Sequence, residues 1–158
     1  SMNPALTINA IAEKASGDLL KTLLPRVNLV LDCTDNFATR QLINAACFKN
    51  KVPLVSGSAL KFDGQLSVFD FRSEASPCYA CLFSPAEQFE EVSCASMGIF
   101  SPLVGIIGAM QAAQALQVLI GFGQPLVGRM LLWNALNTQI DEIRITRSPT
   151  CKVCGSQH

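Results

Sequence analysis

Histidine is almost missing from this chain. Its one copy, His158, is the last residue, so acid–base catalysis by histidine within the chain is not expected. Net charge is missing as well, because twelve basic side chains balance twelve acidic ones. A neutral chain has no electrostatic reason to seek nucleic acid or an anionic membrane surface, and neither is expected as a partner. The first thirty residues lack a basic start followed by an apolar run, so no secretory signal is read. There is no internal repeat, no linker, and no G-x-G-x-x-G phosphate loop.

What is present is apolar surface, 49% of 158 residues. That suits one domain with one core and argues against disorder. Seven cysteines, an odd number without a secretory signal, point to a reducing compartment. A cytoplasmic location is the expectation. Ser1-Met2 reads as a cloning remnant and is set aside, leaving one domain over 3–155.

The pattern along the chain reads as α/β. Ile11 to Leu24 is expected as a short helix ended by Pro25. Val27 to Leu31 is an apolar run of strand length, suited to a strand buried on both faces. At its end, Asp35 or Asn36 can cap a helix running to about Phe48. Val52 to Ser56 reads as a second strand, and strand, helix, strand favours a right-handed parallel crossover. Gly64 to Phe71 alternates, as a strand antiparallel to its neighbour would. Ser73 to Cys94 reads as a loop.

A long helix is expected from Pro102, near its first turn, to about Ile120, ended by Gly121 and Gly123. Gln111, Gln114 and Gln117 recur every three residues and mark one polar stripe on it. The expectation is a buried core helix rather than a membrane span. Gly105, Gly108, Ala109, Ala112 and Ala113 imply close helix packing, within the core or against a second subunit. Arg129 to Trp133 and Gln139 to Thr146 read as two closing strands.

Cys78-Tyr-Ala-Cys81 and Cys151-Lys-Val-Cys154-Gly155 share one spacing. Two such hooks supply four thiolates, the number zinc takes in a closed tetrahedral site. The glycine after Cys154 suits a turn that needs positive φ. Disulfides and a redox C-x-x-C are the alternatives. A thioredoxin-like motif should open a helix, which Pro77 and the polar surroundings do not suggest. With Cys78, Cys81, Cys151 and Cys154 all bound, no position remains for a catalytic water. Zinc is therefore expected to be structural, with its binding energy becoming folding energy.

Asp32-Cys33-Thr34-Asp35-Asn36 lies at the carboxyl end of the first expected strand, where open parallel sheets bind ligands. A carboxylate there can hold Mg²⁺ against nucleotide phosphates. Taken alone, the same residues are more often helix caps.

The residues also carry a family resemblance. Leu29-Val30-Leu31-Asp32-Cys33-Thr34-Asp35-Asn36, then Thr39-Arg40 and Asn44, resembles a signature of the bacterial ubiquitin-activating-enzyme-like family of MoeB, ThiF and HesA. Pro53-Leu54-Val55-Ser56-Gly57, Gly64-Gln65, Pro77 to Cys81, Pro102 to Gly108 and Cys151 to Gly155 follow in the family's order. The resemblance spans Asn3 to Gly155.

It implies a Rossmann-like adenylation fold, back portion only, with a mixed sheet, a long buried helix and a four-cysteine zinc site. It also implies ATP-dependent adenylation of the C-terminal glycine of a small ubiquitin-like sulfur carrier ending in Gly-Gly, of the thiamin or molybdopterin type. By the same resemblance Asp35 is the magnesium and ATP aspartate, with Asn36 beside it in the nucleotide site, and a homodimer is expected. Cys94 matches a cysteine that forms a covalent sulfur linkage with the carrier in some branches, its alternative being an inert, partly buried thiol. Cys33 and Cys47 read as core residues.

One departure is plain. The family begins with a Gly-rich loop and triphosphate-binding arginine and lysine residues that this chain lacks. The expectation is the back portion of a longer enzyme, folded and zinc-bound but unable to adenylate alone. A non-catalytic, zinc-stabilised interaction or dimerisation module is the alternative, and a redox protein using the C-x-x-C pairs is a third reading.

Overall fold

The computed structural model describes residues 3–86 and 98–155. Its first helix, α1 (Gly17–Leu23), starts where Ser16 accepts a hydrogen bond from the Leu19 amide at 3.2 Å. That is six residues later than the expected start at Ile11. Upstream, Leu6, Ile8 and Ile11 stand exposed and pack on nothing that would reward a helix there. Pro25 follows α1 inside a 3₁₀ turn, Leu24–Arg26.

β1 (Val30–Asp32) and β2 (Leu54–Leu60) run parallel, joined by α2 (Phe37–Asn50). Asn36 caps α2 by accepting from the Thr39 amide at 2.9 Å. β3 (Asp63–Phe69), β4 (Arg129–Asn134) and β5 (Gln139–Arg144) follow antiparallel, so strand order in space equals strand order in sequence. The strand–helix–strand unit and the antiparallel β3 therefore form as expected. β2 runs past Ser56 and through Gly57, because its partner β3 continues to pair with it as far as Asp63.

β1 differs from expectation. It is the open edge of the sheet, and Leu31 is 46% exposed. An apolar run long enough for a doubly covered strand is covered here on one face only.

The two sheet faces build two cores, as strand alternation requires. Leu54 and Phe69 point to one side, with Leu20, Leu24, Ile43, Met130 and the cysteine hooks. Val55, Leu66 and Val68 point to the other, under Ala115 and Val118. The first hook begins a one-turn helix, α3 (Tyr79–Leu82), inside the segment expected to be loop.

The long helix α4 (Ser101–Ile120) closes the second core, with Pro102 in its first turn and Gly121 ending it at φ 78°. Its inner face is Leu103, Ile107, Gln111, Ala115 and Val118. Each large apolar side chain on that face contributes about 1.5–3 kcal/mol by burial. The expected core helix is only half buried. Val104, Leu116, Leu119 and Ile120 face outward, at 48% to 69% exposure, while Gln111 is inside at 4%. The glutamine row is turned toward the protein because its amides serve buried carbonyls and amides. Gln114 accepts from the Leu126 amide at 2.7 Å. Among the described residues α4 is the one helix long and apolar enough to cross a membrane. Here its inner face is docked on β2 and β3.

Candidate functional site

The four hook cysteines converge. Cys78 Sγ lies 3.6 Å from Cys151 Sγ and 3.9 Å from Cys81 Sγ, and Cys81 Sγ lies 3.2 Å from Cys154 Sγ. All four sulfurs fall within 4.8 Å of one another. A disulfide needs about 2.05 Å, so the cysteines are free. A tetrahedron with metal–sulfur bonds of about 2.3 Å has edges of about 3.8 Å, and the donor set fits zinc on number, chemistry and spacing.

Local sequence explains the hooks. Cys78 stands at the N-cap of α3, so its C-x-x-C does open a helix, although one turn long. The second hook turns back on itself through the Gly155 amide, which donates to Cys151 O at 2.8 Å. Gly155 is needed for close approach rather than for positive φ. A Cβ there would meet Cys151 O at 2.4 Å and Pro149 O at 2.6 Å. Arg147 ties the two hook segments together by donating to Glu74 O and Cys154 O.

Electrostatics divide the four thiols. Burial, with the Cys81 charge second, pushes the Cys78 thiol up to about 12. Cys154 is pushed up further, first by burial and then by the Cys81 hydrogen bond. Burial opposes ionisation of Cys151 too, yet hydrogen bonds from the Cys154 and Val153 backbone and from the Cys78 and Cys154 side chains bring it down to about 7.

A cleft of about 350 Å³ opens beside the first hook, at the carboxyl end of β1. Cys33, Thr34, Asp35, Arg40, Gly57, Tyr79 and Gln111 are in its lining. Asp35 is exposed and forms part of that lining. The side-chain oxygen of Asn36 is instead engaged in capping α2. Cys94, singled out from the sequence, lies outside the described residues.

The loop bearing Asp35 is held by side-chain contacts that sequence reading did not name. Buried Asp32 accepts from the Thr34 amide at 2.9 Å and the Thr34 hydroxyl at 2.7 Å. Arg40, one helical turn into α2, donates to Thr34 O and, at 3.2 Å, to Gly57 O. Among the described residues no carboxylate pairs with Arg40, so its charge is available to the cleft. Gln111 donates to Asp32 O at 2.9 Å and Val55 O at 3.4 Å, clamping the ends of β1 and β2. The every-third-residue glutamine pattern was the only sequence signal for that clamp.

The other two described thiols separate. Cys47 is fully buried, and burial, then the Asp32 charge, pushes it up to about 12, which keeps it a neutral core thiol. Cys33 is exposed and lines the cleft, because it follows β1 at the open edge, and so is no core residue.

The sequence profile of the ThiF family matches residues 1–153. The molybdopterin-synthase adenylyltransferase of Salmonella typhimurium is 40% identical over 98% of this chain and 61% of its own length. The sulfur carrier protein ThiS adenylyltransferase of Escherichia coli is 38% identical over 99% of this chain and 61% of its own. The sulfur carrier protein adenylyltransferase of Thermus thermophilus is 38% identical over 99% and 59%. This chain thus spans about three fifths of the curated relatives it matches. The solved structure of Escherichia coli MccB with ATP aligns at a TM-score of 0.71 and 18% identity, over 96% of this chain and 45% of that one, and supports the fold alone.

Proposed function

This chain belongs to the ThiF family, and from that premise we propose that its parent protein uses ATP to adenylate the C-terminal glycine of a small ubiquitin-like sulfur carrier ending in Gly-Gly. In that reaction a carboxylate oxygen of the carrier attacks the α-phosphorus of ATP. The bond to pyrophosphate breaks, pyrophosphate leaves, and the carrier is left as an acyl adenylate.

The observation that carries the reading is the placement of Asp35. It is an exposed carboxylate on a loop fixed by Asp32, Thr34, Arg40 and Gln111, at the mouth of a cleft beyond the carboxyl end of a parallel strand. Asp35 would hold Mg²⁺, which supplies neutralisation of phosphate charge. Arg40 fixes the loop against β2 and adds positive charge where the α-phosphate and carboxylate must meet. Gly108 in the lining, with nothing within 4 Å of where a Cβ would stand, leaves room for a tail without side chains. Zinc in the four-cysteine cluster would fold the second hook onto the first and so hold Tyr79, which lines the same cleft.

A homodimer belongs to this reading, supported by the exposed apolar outer face of α4. So does a cytoplasmic location, supported by the free thiols. The chain spans about three fifths of its curated relatives, and the proposal is made of the full-length protein.

The test is carrier-dependent ATP–pyrophosphate exchange by the full-length parent, with carriers ending in Gly-Gly supplied one at a time. Exchange with one carrier, lost in Asp35→Ala, is expected. Absence of exchange with every carrier, in a folded and zinc-loaded parent, would overturn the proposal in favour of a non-catalytic module.

A further inference from the structure

Asn44 is fully buried on the inner side of α2, two turns beyond the Asn36 cap. Its Oδ1 accepts from the backbone amide of Tyr79 at 2.9 Å. That bond places the side chain against the first turn of the hook, next to Cys78. It also settles which end of the amide is oxygen, because an N–H needs an acceptor. The other end, Nδ2, has no hydrogen-bond partner among the described residues. A buried amide donor without an acceptor is disfavoured, and native interiors rarely keep one.

The hook sulfurs are unequally supplied with donors. Cys81 Sγ receives the amides of Ser148 at 3.4 Å and Cys78 at 3.5 Å, and Cys151 Sγ receives the Val153 amide at 3.5 Å. Cys78 Sγ, fully buried, faces the Cys81 backbone amide in a capping-box arrangement, but that amide donates to Cys78 O at 3.0 Å. Metal binding makes the sulfur anionic, and an anionic sulfur is a far better acceptor than a neutral thiol.

We infer that Asn44 is the outer-shell donor of the metal site, its Nδ2–H bonding the Cys78 thiolate as backbone amides bond Cys81 and Cys151. It is a positioning residue, and it couples metal retention to α2, the helix that starts beside Asp35. Outer-shell donors of this kind change metal affinity by about 10–100-fold. The inference rests on the zinc reading of the cluster.

The experiment uses this chain loaded with zinc, and follows release to a chromogenic chelator. Asn44→Asp keeps an oxygen for the Tyr79 amide while removing the donor, and Lys49→Ala, an exposed side chain on the same helix, serves as a control. Release from Asn44→Asp is expected to be about 10–100-fold faster than from wild type, with the control near wild type. Should Asn44→Asp fail to fold, the wild-type chain loaded with ¹¹³Cd decides the matter by NMR. The Asn44 side-chain ¹⁵N–H is then expected to show scalar coupling to the metal through the sulfur. A chain that holds one zinc per molecule, yet shows equal release rates or no such coupling, would overturn the role of Asn44 alone. A chain that takes up no zinc would overturn the zinc reading beneath it.

Discussion

Replacing Gly57 by alanine would put a methyl group where Gln111 already stands. The added Cβ would lie 2.3 Å from Cδ, 2.4 Å from Oε1 and 2.8 Å from Cγ of Gln111. Gln111 cannot turn aside freely, because it is buried and its Nε2 is bonded to the carbonyls of Asp32 and Val55. Breaking those bonds leaves buried polar groups unpaired, at about 1–3 kcal/mol. Steric strain from the extra methyl adds about 1–3 kcal/mol. Gly57→Ala is therefore expected to destabilise the chain by about 2–5 kcal/mol.

Gln111→Ala alone should cost about 1–3 kcal/mol, and it removes all three clashing atoms. The double variant is then expected to be no less stable than Gln111→Ala, a favourable coupling of about 2 kcal/mol or more. At about 2–4 °C per kcal/mol for a chain of this size, Gly57→Ala should lower Tm by roughly 10 °C. The second substitution should restore part of that loss. Urea and thermal unfolding of the zinc-loaded chain measure all three variants. Additive single effects, or a Gly57→Ala Tm within about 2 °C of wild type, would refute the close-approach argument.

Three further outcomes follow from the geometry. Asn36→Ala removes the α2 cap and should lower stability by about 1 kcal/mol in urea unfolding, with Asn36→Asp keeping most of it. Gly155→Ala drives a Cβ into the Cys151 and Pro149 carbonyls, which are backbone and cannot rotate away. It should weaken zinc binding in a competition titration, and unchanged affinity would show that the second hook closes another way. The Cys78 thiol at about 12, and Cys154 above it, are protonated at neutral pH, so zinc must displace both protons. Apparent affinity should then fall by at least about a hundredfold per unit as pH drops below 7. A pH-independent affinity would contradict thiolate ligation.

Local punctuation made much of this fold legible. Asn36, Pro102 and Gly121 mark helix ends by chemistry that acts within a few residues, and the helices begin and end there. Two C-x-x-C hooks state a donor number on their own, and the structure brings them together. What could not be read depends on partners distant in sequence. Leu31 lies in the same kind of apolar run as Val55 and pairs with it, yet it is exposed because α4 docks on β2 and β3 and leaves that face of the edge strand open. The glutamine row on α4 read only as a polar stripe, and its Gln111 faces inward because carbonyls of β1 and β2 need its donors. Arg40 and Asn44 have no local signature, since their partners, Gly57 O and the Tyr79 amide, are 17 and 35 residues away. Gly155 was expected for its backbone freedom and is needed for its missing side chain.

Strand order equal to sequence order has a consequence for synthesis. Each strand of the emerging chain finds its neighbour already made, and the sheet can grow at one edge as translation proceeds. The metal cluster cannot. Cys78 and Cys81 each wait for a partner 73 residues downstream. At roughly 5–20 residues per second, that interval lasts about 4–15 s. Through it the first pair of thiols has no second pair to share an ion with, and stands open to oxidants and to wrong metals. The ribosome thus lays down one half of the donor set first and the half that closes it later.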